Sequence, residues 1–430
     1  MKRHALLTTL AALTALAVLA APSVARAEAV NDWNMIASSA IVATAGQPPP
    51  VSALSFAMVH GAVYAAVNAI DRGYRPYLVA PAANPSDSKD AAVAAAAFRV
   101  LAALFPGQLA TLQPVYDGYI AALPDQPVGS KAAGIIVGES AAAAMLAART
   151  NDGRGGGPGT FVGTLPGLWR PTPPFFTQDP APWVMNVRPF LIKSPDQFRS
   201  RGPNELTSRK YAKDFAEVKE IGSLNSPTRT PDQTDAAIFW QDHALVLWNR
   251  IFRTLGSSQG LDTVENARMF AMENLAAADA YIGCWNDKYH WKFWRPITAI
   301  READTDGNPT TQADPTWRPL FDPATPVASA PPLVTPPFPD HPSGHTCVAG
   351  AITKTLRSFF GTDKLPFSVI SNKSGTSRSF DRFSDALKEN IDARVWAGIH
   401  FRTADVQGAL LGKKVARYLR KHYFEPVNCR

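Results

Sequence analysis

Apolar side chains recur every three to four residues along most of the sequence, which is the period of one helix face, and the alternation of a half-buried strand is almost absent. That periodicity predicts an all-α chain, with helices at residues 51–70, 88–104, 108–123, 130–149, 205–221, 231–255, 261–286, 343–360, 384–398 and 403–422. Between 151 and 202 the pattern gives way to Gly- and Pro-rich sequence ("GRGGGPGTFVGTLPGLWRPTPPFF"), too long for a tight connection and too aromatic for a plain linker. It is expected to be an ordered crossing between two helical bundles, or a lid. No repeat at a fixed period is present.

The 430 residues are enough for one large core or several ordinary domains. Residues 1–27 begin with Lys2 and Arg3, run apolar from Ala5 to Ala21 and end in Ala25-Arg26-Ala27, the pattern of a cleavable export signal. A secreted or periplasmic protein cleaved near Ala27 is expected, with no membrane span in the mature chain. The formal charge of +7 falls to +4 without Lys2, Arg3 and Arg26, and with no basic run or aromatic-basic motif this argues against a nucleic-acid binder. Cys284, Cys347 and Cys429 allow at most one internal bridge, and their spacing matches no zinc motif.

Three short stretches carry chemistry. In "PPFPDHPSGH" (336–345), Pro342 and Ser343 are helix-start residues and Gly344 permits close backbone approach, so the N–H groups of Ser343, Gly344 and His345 are expected to face an anion. His341 and His345 are four apart, but Pro342 and Gly344 argue against the continuous helix of a two-histidine zinc motif. In "WNDKYHWKFWRP" (285–296), Lys288 and Arg295 are expected on one helix face two turns apart, among aromatic neighbours that imply burial. In "DARVWAGIHFRTAD" (392–405), Arg394 and His400 can line one pocket if the backbone bends at Gly398, and Asp405 could orient the His400 imidazole. A capped surface helix, a solvated basic stripe and a core arginine paired with an acid are the plainer readings of the same pieces.

Together the order Lys-x6-Arg-Pro, Pro-Ser-Gly-His, Arg-x5-His resembles the signature shared by vanadium-dependent haloperoxidases and the type-2 phosphatidic acid phosphatase superfamily. The resemblance runs from about "TPDQTDAAIFW" (230–240) to the C-terminus. It implies two packed helical bundles with the anion site in the C-terminal one, hence a signal peptide at 1–27, an N-terminal bundle with its crossing at 28–202, and a catalytic domain at 203–430. By position, Lys288, Arg295, Arg394, the Ser343 hydroxyl and the Gly344 N–H would bind the oxygens of vanadate or phosphate. His400 would be the axial vanadium ligand, or the nucleophile of a phosphatase, and His345 the general acid–base. Asp242 would be the partner of Arg394, and Trp285 with Phe338 would wall a halide pocket, phenylalanine being the residue of chloroperoxidases there. Ala393 stands where many members have serine, and the step from His400 to Asp405 is one residue longer than in the usual phosphatase motif.

The implied activity is vanadate-dependent oxidation of halide by hydrogen peroxide to hypohalous acid, which then meets an organic acceptor, with Lys288 polarising the peroxide. The alternative is a soluble acid phosphatase working through phosphohistidine in the same pocket. A third class, a non-catalytic anion-binding protein, has no need of both histidines. Neither composition nor motif fixes the oligomeric state.

Overall fold

The computed structural model describes residues 28–427, so the expected export signal at residues 1–27 and Cys429 lie outside the described residues. The N-terminal segment folds as α1 (Glu28–Ser38), α2 (Pro49–Asp71), α3 (Lys89–Leu104), α4 (Leu109–Ala122) and α5 (Ser130–Ala148). After the crossing come α6 (Arg209–Ile221), α7 (Pro231–Phe239), α8 (Ala244–Ser258), α9 (Thr263–Trp291), α10 (Pro296–Arg301) and α11 (Gly344–Phe359). A hairpin of β1 (Lys364–Ile370) and β2 (Ser377–Arg382) precedes α12 (Phe383–Trp396) and α13 (Arg402–His422). The fold is helical, as expected.

Helix starts follow local chemistry. Ser88, Ser208 and Asp262 accept from N–H groups three residues on, and Thr230 and Gln233 form a reciprocal capping box ahead of Pro231. The departures from expectation are tertiary in origin. The predicted helix 231–255 breaks at residues 240–243, where the Asp242 carboxylate accepts from the Asn372 N–H at 2.8 Å and so belongs to the turn of the hairpin. The hairpin itself was not expected; it pairs Phe367 with Phe380 and buries both against the helices. α1 was likewise not anticipated, and α9 continues past 286 to Trp291.

At 29 residues, α9 is about 43 Å long. Its earlier turns pack on α2 and its later turns on α11 and α13, and one apolar core runs from Ala29 to Phe424 through both sides of the crossing. The crossing is ordered, because buried carboxylates hold its backbone. Asp279 of α9 accepts the N–H groups of Phe190, Leu191 and Ile192 at 2.6–2.8 Å, and Asp287 accepts that of Ser200 at 2.6 Å. By length and composition α2 and α5 could each cross a membrane, although the sequence was expected to hold no span. α2 is wholly buried within the fold, whereas α5 leaves an outer face containing Ile136 exposed.

Candidate active site

The three motifs converge, but from different elements than expected. Lys288 lies in the last turn of α9, which ends at Lys292 in a left-handed conformation (φ 52°), so Arg295 sits beyond the helix as the N-cap of α10. The pair therefore does not share a helix face; the chain turns back to bring both cations inward. Gly398, with φ 75°, supplies the expected bend between Arg394 in α12 and His400. Lys288, Arg295, Ser343, Arg394 and His400 are all buried, while His345 sits deep among protein atoms with a partial opening to solvent.

Each cation has a defined set of acceptors. Lys288 donates to the carbonyls of Pro339, Asp340 and Pro342 at 2.7, 3.0 and 2.5 Å, which takes up all three ammonium hydrogens. Burial first, and then the neighbouring Arg295, pull its proton affinity down to about 8. Arg295 donates from Nε to Phe338 O and from Nη1 to Ile399 O, both at 2.8 Å, and Nη1 also lies 3.1 Å from His400 Nε2. Arg394 donates to Gln241 Oε1 at 2.9 Å and to Trp240 O at 3.5 Å. The expected partner Asp242 is elsewhere, on the hairpin turn, so a neutral amide takes its place. The break between α7 and α8 presents that amide and carbonyl.

The acid that orients His400 is Asp340, not Asp405. His400 Nδ1 is 2.7 Å from Asp340 Oδ1, which fixes the tautomer with Nδ1–H donating and the Nε2 lone pair facing the cations. Asp340 lies one residue ahead of His341 in the proline-rich loop, and an acid in an otherwise apolar loop is the signal that could have marked it. Burial pushes Asp340 up to about 7 against the pull of Arg295 and Lys288. Asp405 is instead beside Ser343 and in the field of Arg394, and burial raises it well above the usual carboxylate range. His345 and His400 are both held well below the ordinary imidazole value, by burial first and then by the cations, led by Arg394 for His345 and by Arg295 for His400.

The helix start behaves only partly as expected. Ser343 is the N-cap of α11, yet its hydroxyl caps nothing and its N–H donates to Ala404 O at 3.0 Å. The N–H groups of Gly344 and His345 make no backbone bond, as the first turn of a helix requires. At this site three buried donors make no hydrogen bond of ordinary geometry: Ser343 Oγ, which faces the Asp405 carboxylate, Arg295 Nη2 and Arg394 Nε. A buried donor without a well-formed bond costs about 1–3 kcal/mol, so a cluster of them around one imidazole is chemistry suited to a bound oxyanion. Gly344 leaves room beside it, since a Cβ there would lie 3.1 Å from the Trp285 ring.

An aromatic wall closes one side. The rings of Trp285 and Phe338 are 5.0 Å apart, and Lys288 Nζ and the Arg295 guanidinium each lie 5.1 Å from the Phe338 ring. Trp285 is fixed by Asp179 of the crossing, which accepts from its Nε1 at 3.0 Å and from the Tyr289 hydroxyl at 2.7 Å. His341 is held by its Nε2, which lies 2.7 Å from Arg201 O and 3.3 Å from Ser200 Oγ. Cys284 and Cys347 are buried free thiols behind the site.

The pattern of the VCPO second helical-bundle domain matches residues 268–428. Vanadium chloroperoxidase of Curvularia inaequalis is 26% identical over 482 positions, covering 86% of this chain and 78% of that protein. Residues 268–428 thus carry a vanadium-chloroperoxidase type of helical-bundle domain, and the chain as a whole is similar to vanadium haloperoxidases. Its fold is similar to that of a bacterial vanadium-dependent iodoperoxidase, with a TM-score of 0.78, 22% identity, and coverage of 93% of this chain and 98% of that one. A holo-type bacterial vanadium-dependent chloroperoxidase aligns with a TM-score of 0.67 at 16% identity, over 90% and 96% of the two chains. Within this fold the converged cations and histidines lie in the part of the chain that the domain pattern covers.

Proposed function

We propose that the protein is a vanadate-dependent haloperoxidase, oxidising halide with hydrogen peroxide to hypohalous acid that passes to an organic acceptor. The observation that carries this is the set of buried donors without a hydrogen bond of ordinary geometry, Ser343 Oγ, Arg295 Nη2 and Arg394 Nε, around a histidine whose tautomer Asp340 fixes. These donors, with the Gly344 N–H, would hold the oxygens of vanadate, and His400 Nε2 would be its nitrogen ligand. Vanadate(V), when bound, supplies Lewis acidity that activates peroxide toward halide without a change of oxidation state.

The chain's own residues do the rest. His345, neutral and partly open to solvent, takes a proton from incoming peroxide and returns it to the leaving oxygen. Lys288 contributes fixed positive charge; a direct contact with peroxide requires one of its three carbonyl bonds to be released. Trp285 and Phe338 exclude water from the side where halide approaches. We further propose export through residues 1–27, and two helical bundles, 28–202 and 203–430, packed on one shared core.

The neutral His400 backed by Asp340 also suits a phosphohistidine nucleophile, so phosphatase chemistry is the second reading. One experiment separates them. Protein dialysed against chelator is assayed for bromide and chloride oxidation with and without orthovanadate, and for phosphoester hydrolysis without it. Halogenation that requires vanadate supports the proposal; phosphoester turnover with no vanadate-dependent halogenation overturns it.

A further inference from the structure

The cations outside the site are not spread evenly, although the sequence gives no basic run. α11 and α13 lie side by side and run the same way, with the α13 backbone at Gly408 against Thr346 and Cys347, and at Gly412 against Cys347 and Ala351. Continued by two turns, that register sets Lys354 and Arg357 of α11 beside Lys413, Arg417 and Arg420 of α13. Arg357, Arg417 and Arg420 are exposed, and Lys354 and Lys413 are half-buried at the root of the cluster. Burial lowers the proton affinity of both lysines; Arg357 and Arg417 lower both further, and Arg420 also acts on Lys354.

The cluster has little internal compensation. Among the described residues, Arg357 pairs with Asp363 at 3.2 Å, and no carboxylate lies within ion-pair distance of Lys354, Lys413, Arg417 or Arg420. Like charges gathered without counter-charges raise the energy of the folded chain, a cost that a bound polyanion removes. Lys414 and Lys421 extend the same face of α13.

We propose that this face of α11 and α13 is a docking surface for a linear anionic polysaccharide. The α13 cations Lys413, Arg417 and Arg420 follow one another over about 10 Å, a short row that matches a few consecutive charged groups of an extended polymer. Between Lys413 and Lys421 the one aromatic side chain, Tyr418, is half-buried with its ring 4.3 Å from that of His422, and the exposed apolar residues of α13, Val406 and Leu410, precede the cationic row, so the row itself offers no open stacking platform and no apolar anchor. Nor does any element project from it to enter a duplex groove. An exported chain would meet such polysaccharides first.

The test uses the full mature chain and heparin oligosaccharide as probe, titrated calorimetrically at low and at physiological salt. The unaltered protein is expected to bind at low salt and to lose at least tenfold in affinity as salt rises. Replacing Lys413→Gln, Arg417→Gln and Arg420→Gln together should cost a further tenfold or more, with a melting temperature no lower than that of the unaltered protein. A control removing equal charge from α6, by Arg209→Gln, Lys210→Gln and Lys213→Gln, should leave binding within twofold. Absence of binding at low salt, or equal loss in the control, overturns the docking surface. Tighter binding of anionic phospholipid vesicles or duplex DNA than of heparin, lost in the same α13 variant, overturns the choice of partner.

Discussion

Asp340→Asn tests the site most directly, because two consequences of the change have opposite signs and can be separated. The substitution keeps the shape of the side chain but removes its charge. The bond to His400 Nδ1, 2.7 Å long, changes from charge-assisted to neutral, a drop from about 1.5–3 to about 0.5–1.5 kcal/mol. The imidazole becomes a poorer and less firmly oriented nitrogen donor by about 1–1.5 kcal/mol, which is roughly five- to twelvefold in affinity. Against this, Arg295 Nη1 lies 4.0 Å from the same carboxylate, and losing that counter-charge makes the pocket more attractive to any oxyanion. The second effect acts on phosphate and vanadate alike, whereas only vanadate draws on the imidazole lone pair in its ground state. The ratio of vanadate to phosphate affinity, measured by competition titration, should therefore fall about tenfold. Asp405→Asn serves as control: Asp405 lies beside Ser343 and makes no bond to His400, so it should leave the ratio within twofold. A folded Asp340→Asn protein with an unchanged ratio would show that Asp340 does not govern the imidazole.

Arg295→Ala removes a guanidinium with one free buried donor and should weaken vanadate binding by roughly ten- to a hundredfold, read by titration; an unchanged constant would contradict the pocket. Phe338→His puts a titratable hydrogen-bonding group between Lys288 and Trp285, and should reduce chloride oxidation more than bromide oxidation at mildly acidic pH; equal effects would remove Phe338 from halide choice. His60 is buried against Asn34 and its proton affinity is pulled down to about 3, chiefly by burial and then by Arg253. Its folded value lies below the unfolded one of about 6.5, so its contribution is present above that pH and is lost as pH falls toward 3. From pH 7 to pH 5 it should cost roughly 2 kcal/mol, and urea unfolding of His60→Gln and the unaltered protein should converge or diverge by that amount across the interval. Parallel pH curves would refute the assignment.

What could be read from the sequence was whatever short-range spacing determines. Helices opened by Ser88, Ser208, Thr230 and Asp262 begin where their caps stand, and the bend at Gly398 follows from a residue that tolerates φ 75°. The cations and histidines could be found because each sits in a distinctive local run. Their partners could not. Asp340 meets His400 across 60 residues, and Gln241 meets Arg394 across 153, through a helix break that no breaker residue announces. The hairpin escaped notice because its two strands are short and one face is polar, so its stability comes from Phe367 and Phe380 docking on helices. The choice of Asp405 over Asp340 failed for a related reason: nearness in sequence to His400 favoured it, while the chain between them turns into α13.

The length of α9 has a consequence for how the molecule comes apart. One uninterrupted rod gives its first turns to the packing with α2 and its last turn to Lys288, so neither bundle owns it. Severing the chain near residue 202 would strip a wall from the upstream helices and leave Ala267, Phe270, Leu275 and Ala278 facing water in the downstream fragment. Each of these is buried, and a leucine or phenylalanine so exposed forfeits roughly 1.5–3 kcal/mol. The two halves should consequently melt together in a single calorimetric transition, and neither should be found as a stable stand-alone product of limited proteolysis.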